Sequence, residues 1–281
     1  EMPIASAQVK SCVLLAGLLA DGPTEILERT PSRDHTERML RGAGARLVVE
    51  RSGTQFAAAG GRAGQRTIRV EPAERIEPRQ LEVPGDLSSA AFFIVAALLV
   101  PRSELRLQGV GLNPTRVGLL GILNRMGAAI EVEEEPGTGG EPRGTISVRH
   151  SSLTATRVGA EEVPLAIDEL PLVALAACFA EGETVVRGAE ELRHKESDRI
   201  ATVVDGLRAL GAEAEAAEDG FVVRGTGGLR GGSLDSHGDH RLAMLGAVAG
   251  LASAEGVAVR GMDAAGVSYS NFEEDLRTVL R

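Results

Sequence analysis

The stretch Glu191-Leu192-Arg193-His194-Lys195-Glu196-Ser197-Asp198-Arg199 carries seven ionisable residues in nine. It runs directly into Ile200, Val203, Val204, Leu207 and Leu210, apolar residues at the spacing of one helix face. Gly211 then ends the run, as a glycine just past the last periodic residue does. Ser197 is the expected N-cap, which puts Lys195 and Glu196 just outside the first turn and Arg199 within it. The free N–H groups and dipole of a helix start already favour anions. Cations gathered there, with a glutamate among them, make a place for an anionic substrate and a proton-transfer group. For a single charge run the competing reading is a solvated, salt-bridged helix start.

Outward from this stretch the chain repeats itself. Apolar, Ala- and Leu-rich runs open with polar residues at Ser6, Asp86, Asp168 and Asp239, spaced 80, 82 and 71 residues apart. Each continues for about fourteen residues, apolar nearly all round, the pattern of a helix buried on every side. A short strand pattern follows each, at Thr24–Leu27, Glu104–Leu107, Thr184–Arg187 and Val257–Arg260. Three copies add an amphipathic helix closed by Gly-Ala, at Gly44-Ala45, Gly127-Ala128 and Gly211-Ala212, and then alternating strands. The fourth stops in its second helix, at Phe272–Leu280. The unit is βαβαββ in outline, and repetition at this period predicts a modular α/β (α+β) architecture. Loops fall at the glycine clusters Gly60 to Gly64, Pro136 to Gly144 and Gly225 to Gly232, none with the flanks of a phosphate-binding glycine motif. A domain boundary is expected near Val83-Pro84, giving domains 1–83 and 84–281.

Composition narrows the function. The 281 residues suffice for two domains and are 43% hydrophobic, but with 6 Phe, 1 Tyr and no Trp the cores must be aliphatic. A net charge of −10 and the scarcity of stacking aromatics argue against nucleic acid as a partner. No run has the length and purity of a membrane span, and no secretory leader is visible after Glu1. Cys12 and Cys178 lie in apolar runs and are expected as small buried core residues of a reducing, cytoplasmic protein.

The polar residues concentrate at the starts of the apolar helices: Ser6, Gln8 and Lys10 in the first, Asp168 and Glu169 in the third, Asp239, His240 and Arg241 in the fourth. Helix starts converging about a common axis would form an anion trap for phosphates and carboxylates. Taken singly, Asp168 and Asp239 read equally well as N-caps. His237-Gly238-Asp239-His240 lacks the spacing that would complete a metal site.

Five ordered motifs then carry a resemblance: Ser6-Ala7-Gln8-Val9-Lys10-Ser11, Pro84-Gly85-Asp86-Leu87-Ser88-Ser89-Ala90-Ala91-Phe92, Asp168-Glu169-Leu170-Pro171, Glu191 to Arg199, and Asp239-His240-Arg241-Leu242-Ala243-Met244. Together they resemble the 5-enolpyruvylshikimate-3-phosphate synthase family from residue 1 to the C-terminus. Met2-Pro3-Ile4-Ala5-Ser6-Ala7-Gln8, Ser32-Arg33-Asp34-His35-Thr36 and Asn113-Pro114-Thr115-Arg116 look like its class II, often glyphosate-insensitive, branch. The resemblance implies the enolpyruvyl transferase fold, two domains of three βαβαββ units each, with buried parallel helices aimed at an interdomain cleft. Four copies then correspond to the last unit of one domain and all three of the other. The family's N-terminal region is expected to be lacking, so that a complementary N-terminal segment would be a partner.

The implied reaction moves the enolpyruvyl group of phosphoenolpyruvate to the 5-hydroxyl of shikimate 3-phosphate and releases phosphate, without cofactor or metal. By resemblance the catalytic residues are Asp168 as the base, Glu196 for proton transfer at the methylene carbon, and Lys195, which with Arg199 and Arg241 holds phosphoenolpyruvate or stabilises its leaving phosphate. Shikimate 3-phosphate would be bound by Ser6, Ala7 (through its backbone), Gln8, Arg33, Asp168 and Lys195. Phosphoenolpyruvate would be held by Gln8, Arg199 and Arg241, and closing of the two domains would expel water. The complete enzyme is expected to be a monomer, and the fragment alone inactive. The chain departs from many relatives at Val267-Ser268-Tyr269-Ser270, where they carry a lysine before a Ser/Thr-Phe-Pro segment; this reads as a property of the branch. Two alternatives stand beside this reading: a UDP-N-acetylglucosamine enolpyruvyl transferase, and an inactive fragment or repeat scaffold.

Overall fold

The computed structural model describes residues 1–2, 6–52, 65–77, 82–136 and 140–280. The glycine cluster Gly60 to Gly64, the tripeptide Pro3-Ile4-Ala5 and residues 137–139 of the loop before Gly144 lie outside the described residues. The chain packs as two compact units, one of residues 1–84 with 111–116 and 134–144, the other of 85–110, 117–133 and 145–281.

In the first unit, helix α1 (Ala7–Gly17) is followed by β1 (Thr24–Glu28), α2 (His35–Gly42), β2 (Leu47–Ser52) and β3 (Gln65–Val70). The strands form one antiparallel sheet in the order β1-β3-β2, with Ile68 opposite both Ile26 and Val49. Leu14 and Leu18 of the α1 region, Leu40 of α2 and Ile26, Leu47, Ile68 and Val70 of the sheet make its core. The helix lies close on the sheet because residue 17 is glycine: a Cβ there would sit 2.8 Å from Val70 Cγ1 and 2.9 Å from Thr24 Cβ. Contrary to the expectation of a helix buried all round, α1 buries only the stripe Lys10, Leu14 and Gly17. Val9, Leu15 and Leu19 are exposed on its other side. So is Cys12, which the sequence reading had placed in a core. An apolar composition states only which faces could be buried; the sheet of this unit covers one of them.

The second unit begins with α3 (Leu87–Leu99), β4 (Glu104–Gly111), α4 (Gly118–Arg125), β5 (Ala129–Glu135) and β6 (Arg143–Arg149). It continues through β7 (Arg157–Val158), the one-turn α5 (Val163–Ala166), α6 (Leu170–Cys178), β8 (Glu183–Val186), α7 (Arg199–Ala209), β9 (Glu213–Ala217) and β10 (Gly220–Arg224). It closes with β11 (Gly232–Asp235), α8 (His240–Ala252), β12 (Val257–Arg260) and α9 (Phe272–Val279). The sheet β7-β8-β10-β9 pairs its first two strands parallel and the rest antiparallel, so the βαβαββ unit is complete in this copy. The orders β1-β3-β2 and β4-β6-β5 repeat its last three strands, and the parallel pair β11-β12 repeats its first two.

Helices α3, α6 and α8 pack against one another, and every residue of α6 is buried. Burying each Leu or Val there stabilises the unit by about 1.5–3 kcal/mol. The three Gly-Ala closures are one device used three times. Gly44, Gly127 and Gly211 take φ of 89°, 88° and 99°. The following alanine amides reach back to Leu40, Leu123 and Leu207, the six-residue closure that a left-handed glycine permits. The scarce aromatics cluster: Phe92 and Phe93 of α3 meet Phe272 of α9 edge-on at 5.8 Å, with Tyr269 beside them. Among the described residues no helix is long and apolar enough to cross a membrane.

Candidate active site

In the second unit three helix starts bring charged groups together. The α8 start is capped by Asp239, whose Oδ1 accepts from the Arg241 amide at 2.8 Å. The α7 start is capped by Asp198, not Ser197: its Oδ1 accepts from the amides of Ile200 and Ala201, both at 3.1 Å. A carboxylate satisfies two free amides and complements the helix dipole, while the Ser197 hydroxyl donates to Asp239 at 3.0 Å instead. The α6 start has no side-chain cap; Asp168 and Glu169 lie in a 3-10 turn before it, with Pro171 in its first turn.

Arg199, the first residue of α7, is the hub. Its Nε donates to Asp239 at 2.8 Å, Nη2 lies 2.6 Å from Glu196, and Nη1 lies 3.7 Å from Asp168. Asp239 is fully buried and Arg199 is 1% exposed, whereas the Glu196 side chain is 51% exposed. Arg241 reaches Asp168 from the other side, donating to its carbonyl at 3.0 Å, with Nη2 3.7 Å from its carboxylate and Nη1 3.6 Å from Glu169. Glu169 is buried and accepts from Ser88. Lys195 is paired with Glu191 at 2.7 Å.

Thus four of the expected residues, Asp168, Glu196, Arg199 and Arg241, form one connected set, and Lys195 adjoins Glu196 in the chain. Burial works to raise the Asp239 carboxyl, but the hydrogen bond and charge of Arg199, the Arg241 amide and the Ser197 hydroxyl outweigh it and hold it low. His240 is pushed down from its ordinary value, mainly by burial and then by the charge of Arg241. The sequence reading missed Asp239 as the counter-charge of Arg199, and Ser88 as a donor to Glu169. Each partner lies tens of residues away, and only the folded chain pairs them. Among the described residues no cluster of three or more His, Cys, Asp or Glu could hold a metal ion.

In the first unit, Ser6 caps α1, its Oγ accepting from Val9 N at 3.3 Å and donating to Gln8 Oε1 at 3.2 Å. Ala7 is half-buried, Gln8 exposed and Arg33 half-buried in the segment between β1 and α2. Lys10 departs from expectation: it does not offer its charge at the helix start. One turn in, its side chain is fully buried between Glu28 at 3.2 Å and Glu37 at 2.7 Å. Tyr269 serves packing against Phe93 and Phe272, and its hydroxyl donates to Asp275 at 2.7 Å.

The repeat order and the mutually packed helices define the enolpyruvyl transferase fold. The enolpyruvyl transferase NikO from Streptomyces tendae shares this fold, with a TM-score of 0.68 at 21% identity over 95% of this chain and 57% of that one. A sequence model of the family EPSP synthase (3-phosphoshikimate 1-carboxyvinyltransferase) matches residues 1–276, and the chain belongs to that family. A structure of EPSP synthase from Acinetobacter baumannii aligns with a TM-score of 0.87 at 39% identity, over 99% of this chain and 61% of that one. The 3-phosphoshikimate 1-carboxyvinyltransferase of Roseiflexus castenholzii (strain DSM 13941 / HLO8) is 51% identical over 99% of this chain and 62% of its own length. That of Desulfitobacterium hafniense (strain DSM 10664 / DCB-2) is 50% identical over 97% and 59%. The chain therefore spans about three fifths of the length of the relatives it matches.

Proposed function

We propose that this chain carries the acid–base and anion-holding residues for enolpyruvyl transfer from phosphoenolpyruvate to the 5-hydroxyl of shikimate 3-phosphate, in the shikimate pathway of aromatic amino-acid biosynthesis. The observation that carries the reading is the set Asp168–Arg199–Glu196 with Arg241, two carboxylates and two guanidiniums joined at helix starts. In the addition step Asp168 takes the proton of the attacking hydroxyl, the oxygen bonds to the central carbon of phosphoenolpyruvate, and Glu196 delivers a proton to the methylene carbon. In the elimination step the new methyl group returns a proton to Glu196, the carbon–oxygen bond to phosphate breaks, and the proton held by Asp168 passes to the departing phosphate, restoring both carboxyl groups. Lys195, Arg199 and Arg241 stabilise the carboxylate and the leaving phosphate. Ser6, the Ala7 backbone, Gln8 and Arg33 take the shikimate 3-phosphate, with Gln8 also reaching phosphoenolpyruvate.

On this reading the second unit belongs to a three-repeat domain and the first is the closing repeat of another, in a cytoplasmic enzyme that is monomeric when complete. Activity then needs the stretch of its relatives that this chain does not match. The test is phosphate release from phosphoenolpyruvate and shikimate 3-phosphate, by the chain alone and with that stretch of the D. hafniense relative supplied. Turnover with the supplement and none without it is the expected result. Turnover with UDP-N-acetylglucosamine in place of shikimate 3-phosphate would overturn the acceptor assignment.

A further inference from the structure

Lys10, Glu28 and Glu37 are buried to 0, 1 and 2% side-chain exposure, a charged triad in the core of the first unit. Replacing such a group by apolar side chains of similar volume is often neutral or stabilising, so stability alone is a weak reason for it. The cost shows: Glu28 Oε2 and Glu37 Oε2 are buried without a hydrogen-bond partner among the described residues. Leu14, one turn further along the same face of α1, shows that an apolar residue fits against this sheet.

What the triad holds is one short segment. Glu28 Oε1 accepts from Lys10 Nζ at 3.2 Å, from the Ser32 amide at 2.7 Å and from the Ser32 hydroxyl. Lys10 Nζ also donates to the Ser32 carbonyl at 3.4 Å. The backbone N–H, the backbone C=O and the hydroxyl of Ser32 are thus all engaged by one buried ion pair. Glu37, in the first turn of α2, ties the other end of the segment to the same ammonium. Ser11 Oγ and Thr36 Oγ1, 2.6 Å apart, add a second link from α1. Asp34 is fixed by Arg38 at 2.9 Å and by Asn113 at 2.8 Å. Arg33 therefore lies in a segment whose neighbours on both sides are held, and Arg66, opposite Glu28 in the register of β1 and β3, is a further buried cation beside the triad.

We propose that Lys10 is a positioning residue: through Glu28 and Glu37 it locks residues 32–37 in the shape that presents Arg33 to the phosphate of shikimate 3-phosphate. The phosphate part rests on the function proposed above; the lock itself does not. Hydrogen exchange on this chain tests the lock. Lys10→Met keeps the stem and removes the charge; because it leaves two buried carboxylates without their ammonium, a second variant, Lys10→Met with Glu28→Gln and Glu37→Gln, removes the lock together with both carboxylate charges, with Arg66 unchanged beside it. Both should exchange the amides of residues 30–37 about tenfold faster or more, the loss of one charge-assisted contact, while the β1–β3 amides keep their protection. Unchanged exchange at 30–37 in the folded triple variant would overturn the lock.

The phosphate part is read on the enzyme completed as above. The triple variant should raise KM for shikimate 3-phosphate about tenfold and leave KM for phosphoenolpyruvate and kcat nearly unchanged, because only an orienting contact is lost. Arg33→Ala should raise the same KM. If Arg33→Ala leaves it unchanged, Arg33 does not bind that phosphate and the functional reading fails at this residue, whatever the exchange data say. If Arg33→Ala raises it and the triple variant does not, the lock does not serve the site.

Discussion

Asp239→Asn removes one charge from the centre of the second unit while keeping size and an oxygen able to cap α8. The native carboxylate holds Arg199 through Nε at 2.8 Å and Nη2 at 3.2 Å, with both residues almost wholly inside. Breaking a buried pair by removing one partner typically costs about 3–5 kcal/mol, because the other charge is left uncompensated. Arg199 keeps Glu196 at 2.6 Å and Asp168 at 3.7 Å, so the low end applies, about 3 kcal/mol. For a unit of this size that corresponds to a fall in Tm of about 6–12 °C. Asp239→Ala should cost about 1 kcal/mol more, the value of an N-cap. The only tyrosine of the chain, Tyr269, lies in this unit against Phe93 and Phe272, so its fluorescence follows urea unfolding of the unit. The pH dependence has a definite sign. The folded Asp239 carboxyl titrates below its ordinary 3.8, so its contribution is fully present above that value and is lost as pH falls below it. The gap between native chain and Asp239→Asn should therefore hold at pH 6 and close in acid. A variant within about 0.5 kcal/mol of the native chain at pH 6, the ordinary range for a surface change, would refute the hub.

Other outcomes follow from the same geometry. In the completed enzyme Glu196→Gln should lower kcat by roughly 10²–10⁴-fold with little change in substrate affinity, the usual worth of a positioned acid–base group; near-native turnover would remove Glu196 from the chemistry. Arg241→Lys should weaken phosphoenolpyruvate far more than shikimate 3-phosphate, since an ammonium cannot reproduce a forked guanidinium contact; equal losses in initial-rate measurements would point to a structural role through Asp168 and Glu169. Cys12 is exposed, whereas burial pushes the Cys178 thiol up to about 12. A thiol reagent should therefore modify Cys12 alone in the folded chain and Cys178 only after denaturation.

Periodicity in the sequence revealed the repeats, because one βαβαββ unit imposes the same alternation and the same glycine closures wherever it occurs. Gly44, Gly127 and Gly211 could be recognised one by one, since a left-handed residue closing a helix is a local demand. The misread points were decided at a distance. Ser197 has the residue type of an N-cap, yet its hydroxyl is taken by Asp239, 42 positions on, and Asp198 caps instead. Lys10 stands among polar residues at a helix start, yet carboxylates 18 and 27 positions away draw it inside. Cys12 and Lys10 lie on the same helix, and the sheet beneath decides which of them is covered. Asp168, Glu196 and Arg241 were legible as charged residues at or beside helix starts, but Arg199 as the group joining two of them was not.

The pairing at Arg199 also orders what a substrate could do there. A carboxylate or phosphate that engages this guanidinium must replace one of its present partners. Asp239 is buried, accepts three other contacts besides Nε and caps α8, so displacing it would cost about what breaking a buried pair costs. Glu196 is half exposed, and a pair with one partner in water is worth only about 0–1 kcal/mol. Asp168 is too far, at 3.7 Å, for a short hydrogen bond. Of the two carboxylates in close contact with Arg199, Glu196 is therefore the one that yields. On the function proposed here that exchange has a use: an arriving phosphoenolpyruvate carboxylate takes the Arg199 fork and frees Glu196 for proton transfer, while Asp239 keeps the arginine in place.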